Sequence, residues 1–409
     1  MLTQNDIENF CNAHNYDIRV SGNGRWIDQK CAADVVTVVA DCILNFGLEN
    51  ADAYFKTYDI WHYQYTVDNV EAIFRKPGVE HDAAQHEYDK FFQQPMEMLS
   101  HAGVLQKEKR GKNNYYRIED FEVLEYIALR ERNALFFLKT YIEKVLRDSG
   151  LYPYFATFFD TQTKAAYEDV KSAFSSFTIR YTKINGEVEC NRIFIKVLNP
   201  LAYYMHSCGT EKGRLSEHPI TYDMLMYNRN NFRDLYSNKP KGITRKEYAE
   251  THPVVVNDAY YRYQSAKAKR YLRAFNDRYR GGQTEHDDGI HIYDQAVHMH
   301  HIFPESDYPD ICYFLENLIA LTPTQHLSYA HPNGHTQEID NQYQHLLLLS
   351  KADRIRENLD GLCGEIIYEF DNFLFVLHVG FDDEEVLSIE DMDFNSVVNS
   401  INVHYAEAM

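Results

Sequence analysis

Long apolar runs are missing from this chain. No stretch of about 18 apolar residues occurs, so no membrane-spanning helix is expected. The first residues, "MLTQNDIENFCNAHN", lack a basic start followed by an apolar block, which argues against a secretory signal. Cysteine is sparse and unpaired. The seven, at positions 11, 31, 42, 190, 208, 312 and 363, form no CxxC pair and are odd in number. That excludes a disulfide framework and a cysteine zinc site, and points to reduced thiols in a cytoplasmic protein. Internal repeats and low-complexity tracts are also absent. Positive charge is in deficit, with 41 Lys and Arg against 61 Asp and Glu, a net charge of −20. Taken over the whole chain, this argues against nucleic acid as a partner.

What is present is ordinary in bulk and uneven in place. The 409 residues are 44% hydrophobic and 14% aromatic, enough for two or three globular domains. The acidic excess is not spread evenly. From Arg229 to Arg280 there are thirteen Lys or Arg against five Asp or Glu. A basic segment inside an acidic protein can follow phosphates while the acidic remainder limits non-specific sticking. The plainer reading is a solvated charged surface.

Three sections follow along the chain: 1–122, 123–255 and 256–409. In the first, "AADVVTVVADCILNFG" predicts a helix stopped by Gly47, and "TVDNVEAIFRKPG" one capped by Thr66. A third helix, with Pro95 in its first turn, closes at Gly103. "VLQKEKR", "GKNN" and "YYRI" then read as strand, turn and strand. Helices followed by such a hairpin resemble a winged-helix domain. Its wing would carry Lys107, Lys109, Arg110, Lys112 and Arg117. The preceding helix, with Glu87, Asp89 and Glu97, is a poor recognition helix, so DNA contact is expected from the wing.

The second section starts with one long helix, "VLEYIALRERNALFFLKTYIEKVLRDSG". "FTIRYTKING" and "CNRIFIKVLN" read as strands around an Asn-Gly turn. "YNRNNFRDLYSNKPKGITRKEYAE", with Arg229 and Arg233, is rich in groups suited to phosphates and base edges. It is a central α/β region for recognition or dimerisation. The third section opens with a basic helix, "YYRYQSAKAKRYLRAFNDRYRGG", which includes Lys269, Arg270 and Arg273 and ends at Gly281-Gly282.

After that helix comes "VHMHHIFP", with His298, His300 and His301 in a β-like run that breaks at Pro304. A loop follows, then "ENLIALTP" as a second strand. "TPTQHLSYA" reads as a helix start, with Thr322 as cap and Pro323 in first position. The helix would carry His326 back over the strands. Phosphodiester hydrolysis needs an activated water and neutralisation of phosphate charge. A divalent cation on neutral imidazoles supplies the second, and a histidine off the metal can take the water proton. The amide of Asn317 suits tying the loop between the strands.

"HHIFP", "ENLIAL" and "TQH" resemble the HNH motif of the ββα-metal nucleases. Asn317 follows His301 by sixteen positions and His326 follows Asn317 by nine, as in that family. The resemblance covers about 40 residues. It implies His300 and His326 as metal ligands, His301 as general base, Asn317 as the structural asparagine, and Mg²⁺ as the ion, with Mn²⁺ second. Two features depart from it. There are no flanking cysteine pairs, and Ala330 stands where some relatives have a further ligand. His331 lies one step beyond, about 100° further round an α-helix. His331, His335 and His298 are therefore weaker candidates, and Asp287 and His291 weaker still. A zinc ion that only stabilises a loop is the alternative use of these histidines.

The sequence thus predicts an α+β multidomain chain, with a winged-helix-like domain, a mixed central region and a C-terminal HNH domain. The arrangement resembles type II restriction endonucleases of the HNH class, acting on double-stranded DNA as a homodimer. A less specific nuclease effector and a non-catalytic winged-helix regulator are the alternatives.

Overall fold

Helices dominate, because most apolar positions recur every three or four residues rather than every two. The structure, a computed structural model, describes residues 2–50, 52–74, 76, 79, 82–227, 258–291, 293–331 and 339–407. Among these the strands form three antiparallel two-stranded sheets, giving α+β character. They are β1 (Leu105–Arg110) with β2 (Asn113–Ile118), β3 (Cys208–Glu211) with β4 (Arg214–Pro219), and β5 (His298–His301) with β6 (Leu318–Leu321). Contacts divide the chain into two units, Leu2–Val256 and Asn257–Met409.

In the first unit, the helix Ala33–Glu49 runs nearly its whole length through the core and packs on Phe121–Leu129 and Glu131–Asp148. Gly47 does not stop it: the helix continues to Glu49. Thr66 is not a cap, since its helix begins two residues earlier, at Gln64. Pro95 lies deep inside the helix Asp82–His101. Gly103 does close that helix, at φ +85° in the left-handed region that glycine tolerates. The β1–β2 hairpin turns on Gly111, at φ +63°, and Asn113 and Asn114 belong to β2. Buried Glu97 holds the hairpin to its helix. Its carboxylate accepts from Tyr116 Oη at 2.7 Å, Asn114 Nδ2 at 3.1 Å and Lys107 Nζ at 2.6 Å.

Two expectations in the centre of the chain are corrected. The long helix is two, broken at Arg130, whose backbone is extended at φ −160°, ψ 159°. Asn133 fills the break, donating to the Tyr126 carbonyl and accepting from Arg130 Nε. The two expected strands are parts of the helices Lys164–Tyr181 and Glu187–Tyr204, and Gly186 is the N-cap of the second. Their buried positions, Tyr167, Val170, Phe174 and Thr178, then Cys190, Ile193, Phe194, Val197, Leu198 and Leu201, are helically spaced. The β-branched clusters that suggested strands are shorter than that period, so a wider window would have read it correctly.

The second unit begins with the helix Asp258–Arg280, which ends at Gly281 and Gly282, both at positive φ. It packs on β5 and β6. Thr322 Oγ1 accepts the Gln325 N–H at 3.2 Å, so the segment after β6 is capped as its sequence suggests. From Gln325 to Ala330 it is a π-helix rather than an α-helix. Beneath the strands lies a buried ionic group. Glu285 accepts the Ala320 N–H of β6 at 2.8 Å, pairs with Arg280, lies 3.7 Å from Lys351 Nζ, and takes a Tyr368 hydroxyl contact at 3.4 Å. Burial works against the Glu285 carboxylate, but Lys351, Arg280 and the Ala320 N–H outweigh it and hold it below its usual range. All seven cysteines are free thiols. Among the described residues no helix is long and apolar enough to cross a membrane.

Candidate metal centre

The antiparallel register of β5 and β6 pairs His300 with Ile319 and His301 with Leu318. Adjacent strand residues face opposite sides, so the two histidines part company. His298 and His300 face the π-helix. Their rings lie 4.7 Å and 5.0 Å, centroid to centroid, from that of His326. His301 faces the other way, towards the Asp258–Arg280 helix and the loop after β5.

The π-helix decides the third partner. Its i→i+5 hydrogen bonding stacks residues five apart, where an α-helix stacks residues four apart. His331 follows His326 by five. The ring centroids of His326 and His331 are 4.9 Å apart, and those of His300 and His331 are 5.1 Å apart. One ligand nitrogen from each of His300, His326 and His331 lies within 4.8 Å of the others. The 100° offset expected on an α-helix is thus removed. The five-residue interval was the signal, and only the helix type gives it meaning. Gln325 pins the start of the segment. Its side chain accepts from Thr284 Oγ1 and the Thr322 N–H, and donates to the His286 carbonyl and Asp288.

The trio fits a cation. His300 Nε2 and His326 Nδ1 are both buried with no hydrogen-bond partner, a costly state for imidazole nitrogens unless a metal takes their lone pairs. Burial keeps His300 neutral far below the usual imidazole range, with His326, His331, His301 and Lys269 adding to the effect. Burial, with His331, His298 and Lys269, lowers His326 to about 4. Neutral imidazole is the ligating form.

His301 is held separately. Its Nε2 lies 2.8 Å from the Cys312 carbonyl oxygen. A carbonyl only accepts, so the proton sits on Nε2 and the Nδ1 lone pair is available. Burial and Lys269 lower its pKa to about 4, against the opposing pull of the Cys312 carbonyl. Asn317 bridges the loop ends: Oδ1 accepts the Phe303 N–H at 2.8 Å, and Nδ2 donates to the Phe303 carbonyl at 3.0 Å and the Ile311 carbonyl at 3.3 Å. Ser265 and Glu305, which sequence reasoning missed, also reach His301. Their separation of 40 positions hides the pairing in the chain.

The basic residues divide into distinct kinds. Ser265, Lys269 and Arg273 recur at every fourth position, on one face of their helix. Ser265 meets His301 and the Arg273 guanidinium donates to the Val297 carbonyl, so this face runs along β5. Lys269 lies between them, half-buried, and among the described residues no carboxylate is in ion-pair range of it. Arg270 is exposed. Three of the wing's five cations are paired with acids: Lys107 with Glu97 at 2.6 Å, Arg110 with Glu108 at 2.8 Å, and Arg117 with Glu119 at 3.5 Å. Lys109 and Lys112 stay exposed. Arg229, Arg233 and His335 lie outside the described residues. Asp287 and His291 serve a local turn: Asp287 accepts the Gly289 N–H and His291 pairs with Asp288.

Compared with protein-family models, curated proteins and solved structures, the chain matches none of them.

Proposed function

We propose that this protein is a metal-dependent DNA endonuclease with an HNH centre in its second unit. We assign it to the sequence-specific restriction type, cutting double-stranded DNA as a homodimer, with a winged-helix-like region in its first unit. The observation that carries the reading is the pair of buried, partnerless nitrogens, His300 Nε2 and His326 Nδ1, beside His331, with His301 held one residue away as a separate base. His300, His326 and His331 would hold the cation. A bound divalent ion supplies Lewis-acid neutralisation of the scissile phosphate and the leaving oxygen. His301 Nδ1 takes a proton from water, whose oxygen then attacks phosphorus. Asn317 fixes the loop that carries the Cys312 carbonyl, and so the ring angle of the base. Lys269 adds a positive charge beside the histidines, where a phosphate oxygen is stabilised. Three nitrogen donors suit Mn²⁺ and later first-row ions better than the all-oxygen preference of Mg²⁺. The ion preference therefore moves from Mg²⁺ towards transition metals.

Digestion of one defined plasmid tests the reading, with EDTA, Mg²⁺ or Mn²⁺ and with His301→Ala as control. Discrete metal-dependent fragments support a restriction enzyme. A smear points to the less specific effector. An intact plasmid that is nevertheless bound points to a regulator.

A further inference from the structure

We propose that Ser265 and Glu305 act in series as positioning residues for His301, fixing which ring nitrogen carries the proton. The inference rests on the nuclease reading above and assigns two residues outside the family motif. Ser265 Oγ lies 3.0 Å from Glu305 Oε2 and 3.3 Å from His301 Nε2. An ionised carboxylate only accepts, so the serine hydroxyl hydrogen is spent on Glu305. Ser265 then offers His301 a lone pair and nothing else. Nε2 must be the protonated nitrogen, as the Cys312 carbonyl at 2.8 Å also requires. Two acceptors converge on one N–H.

Without Glu305, the Ser265 hydroxyl is free to turn and donate to Nε2. That geometry favours the other tautomer, with the proton on Nδ1 and the basic lone pair facing the protein. Glu305 removes this option by holding the hydroxyl. It also lies 3.8 Å from His301 Nε2. When water gives its proton to Nδ1, the ring becomes a cation, and the Glu305 carboxylate offsets that charge. Glu305 is about one-third exposed at its side chain, so solvent screens this part of the effect. Ser265 is buried, and its hydrogen bonds are not open to water. The arrangement resembles other catalytic histidines whose far nitrogen is held by an acid, here through an intervening hydroxyl.

The test is a double-mutant cycle on metal-loaded full-length protein, with plasmid cleavage as the reaction. Ser265→Ala and Glu305→Gln should each lower kcat about five- to tenfold, the scale of one lost hydrogen bond. KM for DNA, the Mn²⁺ dissociation constant of the protein alone and Tm should stay at wild-type values. Ser265→Thr, which keeps the hydroxyl, should restore most of the rate. The double variant should be no slower than Ser265→Ala, because residues acting in series do not add. Wild-type kcat in Glu305→Gln overturns the proposal, as do additive losses or a parallel fall in Mn²⁺ affinity. Glu305 lies in the loop after β5, so Glu305→Gln keeps the question answerable if Ser265→Ala fails to fold. A wild-type protein that cuts no DNA removes the nuclease reading itself. A cutting wild type with a full-rate Ser265→Ala variant removes only this inference.

Discussion

The π-helix makes His331 a ligand, and moving that histidine by one position tests the geometry. The perturbations are His331→Ala and the double change His331→Ala/Ala330→His. The second places imidazoles four residues apart, the spacing an α-helix would stack over His326. On the π-helix of Gln325–Ala330, residue 330 points away from the trio and His331 points into it. Changing only the hydrogen-bond partners of metal ligands costs about 10–100-fold in affinity. Losing one ligand of three should cost at least about 100-fold. With Mn²⁺ at about 100 times the wild-type dissociation constant, the native state gains ~2.7 kcal/mol, and a hundredfold weaker site gains ~0.4 kcal/mol. The assay is chemical denaturation with and without Mn²⁺, backed by direct titration. Wild type should show the full metal-dependent gain, and both variants should show almost none. A His331→Ala variant with wild-type metal stabilisation refutes His331 as a ligand. Rescue by the double variant refutes the π register.

Other consequences can be checked in the same preparations. His301→Ala should lower cleavage about 10²–10⁴-fold while Mn²⁺ and DNA binding persist, since its nitrogen takes a proton rather than the metal; near wild-type cleavage would remove the base assignment. Replacing Lys269, Arg270 and Arg273 together by Ala should flatten the salt slope of DNA binding by about 1.8 rather than about 2.7, because Arg273 is tied to the Val297 carbonyl. Sequence preference should persist in that variant and weaken instead when Lys109 and Lys112 are changed, as measured on cognate and scrambled duplexes in EDTA. Glu285→Gln leaves Arg280 and Lys351 without their buried carboxylate and should cost about 3–5 kcal/mol by urea denaturation. Because Glu285 is depressed in the folded state, its contribution is complete above an unfolded pKa of about 4.3 and is lost as pH falls through the lower folded value. An unchanged acid limb in Glu285→Gln would contradict that.

Local pattern carried part of this protein and misled where a pattern was too short. The β1–β2 hairpin was readable because Gly111 and the flanking strand residues are contiguous. The basic helix after residue 257 was readable because its period is sustained over 23 residues. The two central helices were misread as strands, because a few β-branched residues beside Asn-Gly outweighed a helical period visible only over 18 residues. The wing's charges were counted correctly, yet Glu97, Glu108 and Glu119 pair with three of them. Which acid meets which base is a property of packing, not of a net count.

The sequence by itself determined the order strand, loop, strand, helix around the histidines, because short-range turn and cap chemistry acts between near neighbours: Pro304 breaks the run and Thr322 caps the helix. It also determined the residues available for the site, His300, His301, Asn317 and His326. Only the tertiary structure decided how they are used. The alternation of β5 sends His300 and His301 to opposite faces, and packing against the strands sets the π register that brings in His331. Ser265 and Glu305 reach His301 because a helix begun some forty residues earlier lies along β5. Contacts between distant residues depend on how elements pack, and no local spacing encodes that.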